Sequence, residues 1–274
     1  MVIKEKLKNL FDKKKVIIGV VHLKPLPGSP LYEGESVESI FDTALKDTES
    51  YLNGGIDAII VENHGDIPFS KPDDIGPETV STMSVITNKL NEKFKKINFG
   101  VNVLANDAIS AIAVAKATNA AFVRVNQYAN AYIANEGIIE GMAAKITRYR
   151  KWLNAESVSI FSDVHVKHGS HSIVADRSIS ELAKDCEFFN ADVLIATGNR
   201  TGDSAITNEV LEIKKATSLP VLVGSGVNEE NLELYHSICD GFIVASSLKF
   251  EGIWQNPVEH ERVKSFVNTL KLLS

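Results

Sequence analysis

Short apolar runs rich in valine, isoleucine and alanine recur along the chain, each followed by a longer stretch in which apolar residues return every three or four positions. The runs are 15–21 (KVIIGVV), 57–63 (DAIIVEN), 98–104 (NFGVNVL), 121–125 (AFVRV), 158–164 (VSIFSDV), 191–197 (ADVLIAT), 219–225 (LPVLVGS) and 240–246 (DGFIVAS). Near-continuous apolar runs of this length read as strands buried on both faces. The stretches between them, 36–53, 76–91, 106–118, 138–154, 179–190, 205–217, 228–236 and 257–270, read as amphipathic helices. Strands and helices in strict alternation predict a parallel sheet covered by helices, and eight such pairs in about 250 residues predict an α/β fold of the (β/α)8 TIM-barrel type. No linker divides 15–274, so one barrel domain is expected, preceded by a lysine-rich amphipathic segment, 1–14.

The connections are uneven. Helix-to-strand links are short (NGGIDA, NADV), whereas several strand-to-helix links are long: HLKPLPGSPLYEGES, HGDIPFSKPDDIG, NQYANAYIANEG and KHGSHSIVADRS. In a TIM barrel these latter loops build the active-site face, and loops of such length are usually functional.

Alternation within each strand then sorts side chains between the barrel interior and the helix layer. In the run containing SDVHVKH, Val158, Ile160, Val164 and Val166 share the helix-facing parity; Ser159, Phe161, Asp163, His165 and Lys167 share the interior one, and His168 falls to the loop. Other strands also end in polar groups: His22, Glu62 with Asn63, Asn102 after Gly100, and Arg124 with Asn126 after Phe122. Burying several ionisable groups is costly unless they serve a site. Asp163, His165, Lys167, Glu62 and Arg124 are therefore the expected catalytic residues, although Arg124 also reads as an ion-pair partner of Glu62 or Asp163. His22, Asn63, Asn102, Asn126, Thr197 and Arg200 are expected to contact substrate. His22, Glu62, Asp163 and His165 offer mixed nitrogen and oxygen ligands, which makes a divalent metal a candidate cofactor.

The run VLVGSGVNEENL and the following DGFIVASSLKF place Gly224, Ser225, Gly226 and Ser246 after the last two strands. Barrels of this kind often hold a phosphate there on backbone N–H groups, and a glycine-dependent tight turn reads the same way. The loop TGNRTGD carries Thr197 and Arg200 but lacks the lysine of a Walker A motif.

Composition narrows the partners. The chain holds 29 Lys and Arg against 35 Asp and Glu, a formal charge of −6 with no long block of either sign. This excludes a general nucleic-acid-polymer binder and leaves room for a local anion pocket. The two cysteines, Cys186 and Cys239, form no CxxC pair and are expected to be buried apolar residues. The apolar run after the lysine-rich segment is too short to cross a membrane, so a cytoplasmic protein without a transmembrane segment is expected. The exposed helix layer suggests a homo-oligomer.

The blocks GVVHLKPLPGSPLYEG, VENHGDIPF, GVNVLANDA, FVRVN, DVHVKH, TGNRTGD and PVLVGSGVNEENL resemble the BtpA/SgcQ family over nearly the whole chain. The resemblance implies a barrel similar to the ribulose-phosphate-binding group. It also implies two kinds of role, since the family takes its name from photosystem I biogenesis while other members accompany carbohydrate-utilisation genes. Two functions follow as expectations. One is an isomerase, epimerase or lyase acting on a small phosphorylated metabolite, a sugar phosphate or nucleotide-derived phosphate. The other is a non-catalytic assembly factor for a membrane complex that binds a phosphorylated ligand and attaches to the membrane surface through its N-terminal segment.

Overall fold

The computed structural model describes residues 7, 10, 11, 13, 15–198 and 203–273. Eight parallel strands close into a barrel: β1 (Val16–His22), β2 (Ala58–Glu62), β3 (Asn98–Asn102), β4 (Phe122–Val125), β7 (Ser159–Asp163), β9 (Val193–Ala196), β10 (Val221–Gly224) and β11 (Gly241–Val244). The strand order β1-β11-β10-β9-β7-β4-β3-β2 joins the first strand to the last. Helices α1 (Val37–Gly54), α2 (Pro77–Lys93), α3 (Ala108–Thr118), α4 (Ala143–Trp152), α5 (Ile179–Phe188), α6 (Thr207–Ala216), α7 (Leu232–His236) and α8 (His260–Leu273) cover it. The single-domain (β/α)8 barrel expected from the alternation is the fold.

Strand parity divides the core. Ile17, Val21, Ile59, Val61, Val123, Val125 and Ile160 pack outward against the helices. Val16, Ile18, Val20, Ala58, Ile60, Phe122, Phe161, Val193, Ile195, Leu222 and Ile243 fill the barrel. Phe122 and Phe161 stack at 4.4 Å between ring centroids. Gly100 on β3 leaves the space this pair needs, because a Cβ there would lie 2.3 Å from the Phe122 ring.

Helix ends follow local capping. Ser36 accepts the Ser39 N–H at the start of α1, and Ser178 with Glu181 forms a capping box on α5. The expected start of the seventh helix at Asn228 is displaced to Leu232, because the Asn228 side chain accepts the N–H groups of Glu230 and Asn231 and holds a turn instead.

The expected helix from Ile138 is wrong in its first turn. Residues 131–140 form a hairpin, β5 (Ala131–Ala134) with β6 (Gly137–Glu140), and β5 also pairs with β8 (Gly169–Ser170). Gly137, at φ 98°, permits the tight turn. Tyr132 and Ile139 face inward and bury Val166. Val166 thus packs beneath the hairpin rather than in the helix layer.

Most of 1–14 lies outside the described residues, but Leu7, Leu10 and Phe11 are helical and pack into the bottom of the barrel core. Leu7 is buried, and Phe11 meets the Phe122 ring edge-on at 6.0 Å. The Asn98 side-chain amide donates to the Leu10 carbonyl. Among the described residues no helix is long and apolar enough to cross a membrane.

Candidate functional site

At the C-terminal mouth, β1, β2 and β3 end in register: His22 lies beside Glu62, and Glu62 beside Asn102. All three continue the interior parity of their strands. The Asn102 amide donates to Glu62 Oε2 at 2.6 Å. Glu62 Oε1 faces His64 Nδ1 at 3.1 Å and His22 Nε2 at 3.8 Å. The two imidazoles stack at 4.3 Å and 19°, with the Trp254 ring edge-on to both. His64 was missed in the sequence, although two more residues of the Ala58–Ile60–Glu62 alternation lead to it.

Burial opposes ionisation of Glu62, yet the hydrogen bond and charge of His64, followed by His22 and Arg124, outweigh it and hold the carboxyl well below the usual range. His22 is held well below an ordinary histidine, first by burial and then by His64.

On the next two strands round the barrel, Arg124 of β4 donates Nε to Asp163 Oδ1 of β7 at 3.0 Å and Nη2 to Oδ2 at 2.9 Å. Asn126 adds a bond to the same Oδ2 at 3.2 Å. Both oxygens of Asp163 thereby accept hydrogen bonds, and the carboxylate anchors Arg124 in one orientation. The Asn126 side-chain oxygen is buried and has no hydrogen-bond partner among the described residues.

Lys167 lines the same cavity as Arg124 and Glu62. Burial pushes its ammonium down to about 8; Arg124 adds to the fall, while Glu62 and Asp163 oppose it.

His165 departs from the expected row. The chain leaves the strand geometry after Asp163, so alternation no longer projects its side chain, and His165 does not line the cavity. Its ring instead lies 3.8 Å from His171, which stacks on Tyr132 of the hairpin. Burial, then His171, lowers His165 to about 4.

Two other expected contact residues make hydrogen bonds within the protein, and a third lies outside the described residues. Asn63 exchanges hydrogen bonds with the Leu104 backbone and donates to Asp66, stapling the loops after β2 and β3. Thr197 donates to the His165 carbonyl at 2.9 Å. Arg200 lies outside the described residues. The expected four-residue metal set also divides: among the described residues His22 and Glu62 come together with His64, not with Asp163 and His165. Both cysteines are buried, and burial raises their thiols to about 11.

A cavity of about 610 Å³ connects these groups to the loops after β10 and β11, where Ser225, Gly226, Ser246 and Ser247 line it. Ser225 has a φ of 112°, a strained value for a residue other than glycine. Gly226, at φ 61°, would place a Cβ 2.2 Å from the Asp203 backbone, so close approach of that loop already requires glycine there. Gly224 does not line the cavity; a Cβ at this position would lie 2.9 Å from the Ile195 side chain.

A family model described as the BtpA family matches residues 13–272. An uncharacterized protein of Archaeoglobus fulgidus is 42% identical over 258 residues, covering 94% of this chain and 99% of that one. The photosystem I biogenesis protein BtpA of Synechocystis sp. is 35% identical over 261 residues, covering 95% and 89%. Among solved structures, the thiamine phosphate pyrophosphorylase of Pyrococcus furiosus superposes with a TM-score of 0.57 at 15% identity, covering 98% of this chain and 99% of that one.

Proposed function

As this chain belongs to the BtpA family, in which the mouth of a (β/α)8 barrel is where chemistry is to be sought, we propose that it is an enzyme acting on a small phosphorylated metabolite. The observation that carries this reading is one continuous cavity with hydroxyl-bearing loops at one end and Glu62, Arg124 and Lys167 at the other. The name of the Pyrococcus neighbour, a phosphate-handling barrel, supports it at the level of fold.

The phosphate lies on the Ser225–Gly226 and Ser246–Ser247 loops, and the reacting carbons face Lys167. A lysine at about 8 exists in both protonation states near neutral pH, which suits proton transfer in an isomerase, an epimerase or a lyase. Arg124, locked by Asp163 in one orientation, stabilises the enolate or oxyanion that forms. Proton transfer and Schiff-base formation at Lys167 separate experimentally. The first incorporates solvent deuterium into substrate, whereas the second is trapped on Lys167 by borohydride.

The direct test is a thermal-shift panel of sugars and nucleosides with and without a phosphate. Phosphorylated members should raise Tm selectively. Equal responses from phosphorylated and plain compounds would remove the basis for the reading.

The name of the Synechocystis relative favours a second reading, an assembly factor for a membrane complex. Its expected membrane contact was the N-terminal segment, but Leu7, Leu10 and Phe11 direct their apolar surface into the barrel. Liposome flotation that requires residues 1–14 would favour this second reading.

A further inference from the structure

We infer that His22, Glu62 and His64 form a binding site for one divalent transition-metal ion in the wall of the cavity. Their three ligand atoms lie within 4.8 Å of one another. Zinc-type ions take nitrogen and oxygen ligands at about 2.0–2.2 Å, which puts neighbouring ligands about 3–3.5 Å apart. The 3.1 Å and 3.8 Å separations about Glu62 Oε1 lie close to that spacing. Hydrogen bonding alone accounts for His64, whereas 3.8 Å is too long for a hydrogen bond from His22. A shared cation gives both imidazoles a reason to converge on one carboxylate oxygen.

The surrounding groups orient the ligands as such sites require. Asn102 holds the second oxygen of Glu62, leaving Oε1 directed at the histidines. The Trp254 carbonyl lies 3.5 Å from His22 Nδ1, which favours the tautomer with its lone pair on Nε2, facing Glu62. The His22 and Glu62 side chains are only 7% and 8% exposed, so a bound ion would be held away from bulk water while its open positions face the cavity. Two imidazoles and one carboxylate suit Zn²⁺, Mn²⁺, Fe²⁺ or Co²⁺ better than Mg²⁺. An ion here would polarise a carbonyl or hydroxyl oxygen of a ligand seated between this wall and Lys167. The inference goes beyond the proposed reaction, because ion binding needs no particular substrate.

The test uses the full chain after removal of bound metal with a chelator, titrated with Co²⁺, Zn²⁺, Mn²⁺ and Mg²⁺ by calorimetry, with the visible absorption of Co²⁺ as a second readout. We expect one Co²⁺ or Zn²⁺ per chain, at least about tenfold weaker binding in His64→Ala and Glu62→Gln, and Mg²⁺ much weaker than either. Far-ultraviolet circular dichroism confirms that the variants are folded; if His64→Ala is not, His64→Gln takes its place. No stoichiometric binding by the wild type, unchanged affinity in folded variants, or Mg²⁺ binding as tightly as Co²⁺ would each overturn the assignment.

Discussion

Arg124 grips both carboxylate oxygens of Asp163, at 3.0 and 2.9 Å, with side chains only 6% and 0% exposed. Removing one partner of such a pair leaves a buried charge without compensation, at a cost of about 3–5 kcal/mol. Asp163→Asn keeps the shape and loses the charge, so urea denaturation should show destabilisation on that scale. A change below about 1 kcal/mol would mean that water reaches Arg124.

Lys167 makes the opposite prediction. Its value in the fold, about 8, is below the ordinary 10.5, so burial disfavours its charged form. The penalty is complete below pH 8, shrinks between pH 8 and 10.5, and is absent above. Lys167→Met should therefore stabilise the protein at pH 7, by roughly 2 kcal/mol after allowance for relaxation. The gain should vanish towards pH 10.5. Denaturation curves at pH 7 and pH 10 measure both effects, and an unchanged or lowered stability at pH 7 contradicts the prediction.

The His165–His171 contact, stacked in turn on Tyr132, ties the hairpin 131–140 to acid pH. His165 titrates at about 4 in the fold against 6.5 ordinarily, so its contribution to stability is lost as pH falls from 6.5 towards 4. Amide exchange in 131–140, corrected for intrinsic rates, should rise at pH 5 relative to pH 7. His165→Phe should remove most of that rise.

Leu7 is buried among the interior residues of the barrel. Leu7→Ala should cost about 2–5 kcal/mol by chemical denaturation, the range for a buried leucine. A surface-bound membrane segment would instead lose liposome association and leave stability unchanged.

The barrel and its mouth were legible because periods of 2.0 and 3.6 are imposed by burial, and β1 to β4 obey them through His22, Glu62, Asn102 and Arg124. Legibility failed where the chain left regular geometry. Beyond Asp163 the same alternation recovered Lys167 but misplaced His165, and in the β4–α4 connection the turn signal Asn135–Glu136–Gly137 was passed over as the approach to a helix. Asn63 and Thr197 resemble contact residues by type, but their hydrogen bonds serve nearby backbone, a distinction that polarity alone does not carry. His64 required following a strand pattern two residues past its last hydrogen-bonded pair.

Leu7 belongs to the interior cluster that also holds Val16 of β1 and Ile243 of β11, and that membership bears on the order of assembly. The segment precedes every barrel strand in the chain, yet the cluster it joins includes a residue of β11, the barrel strand that follows all the others and must itself pair with β1 to close the ring. Completion of this interior cluster therefore has to wait for the last barrel strand, and a ribosome-bound fragment lacking β11 carries an unsealed barrel whose apolar interior is open to chaperones.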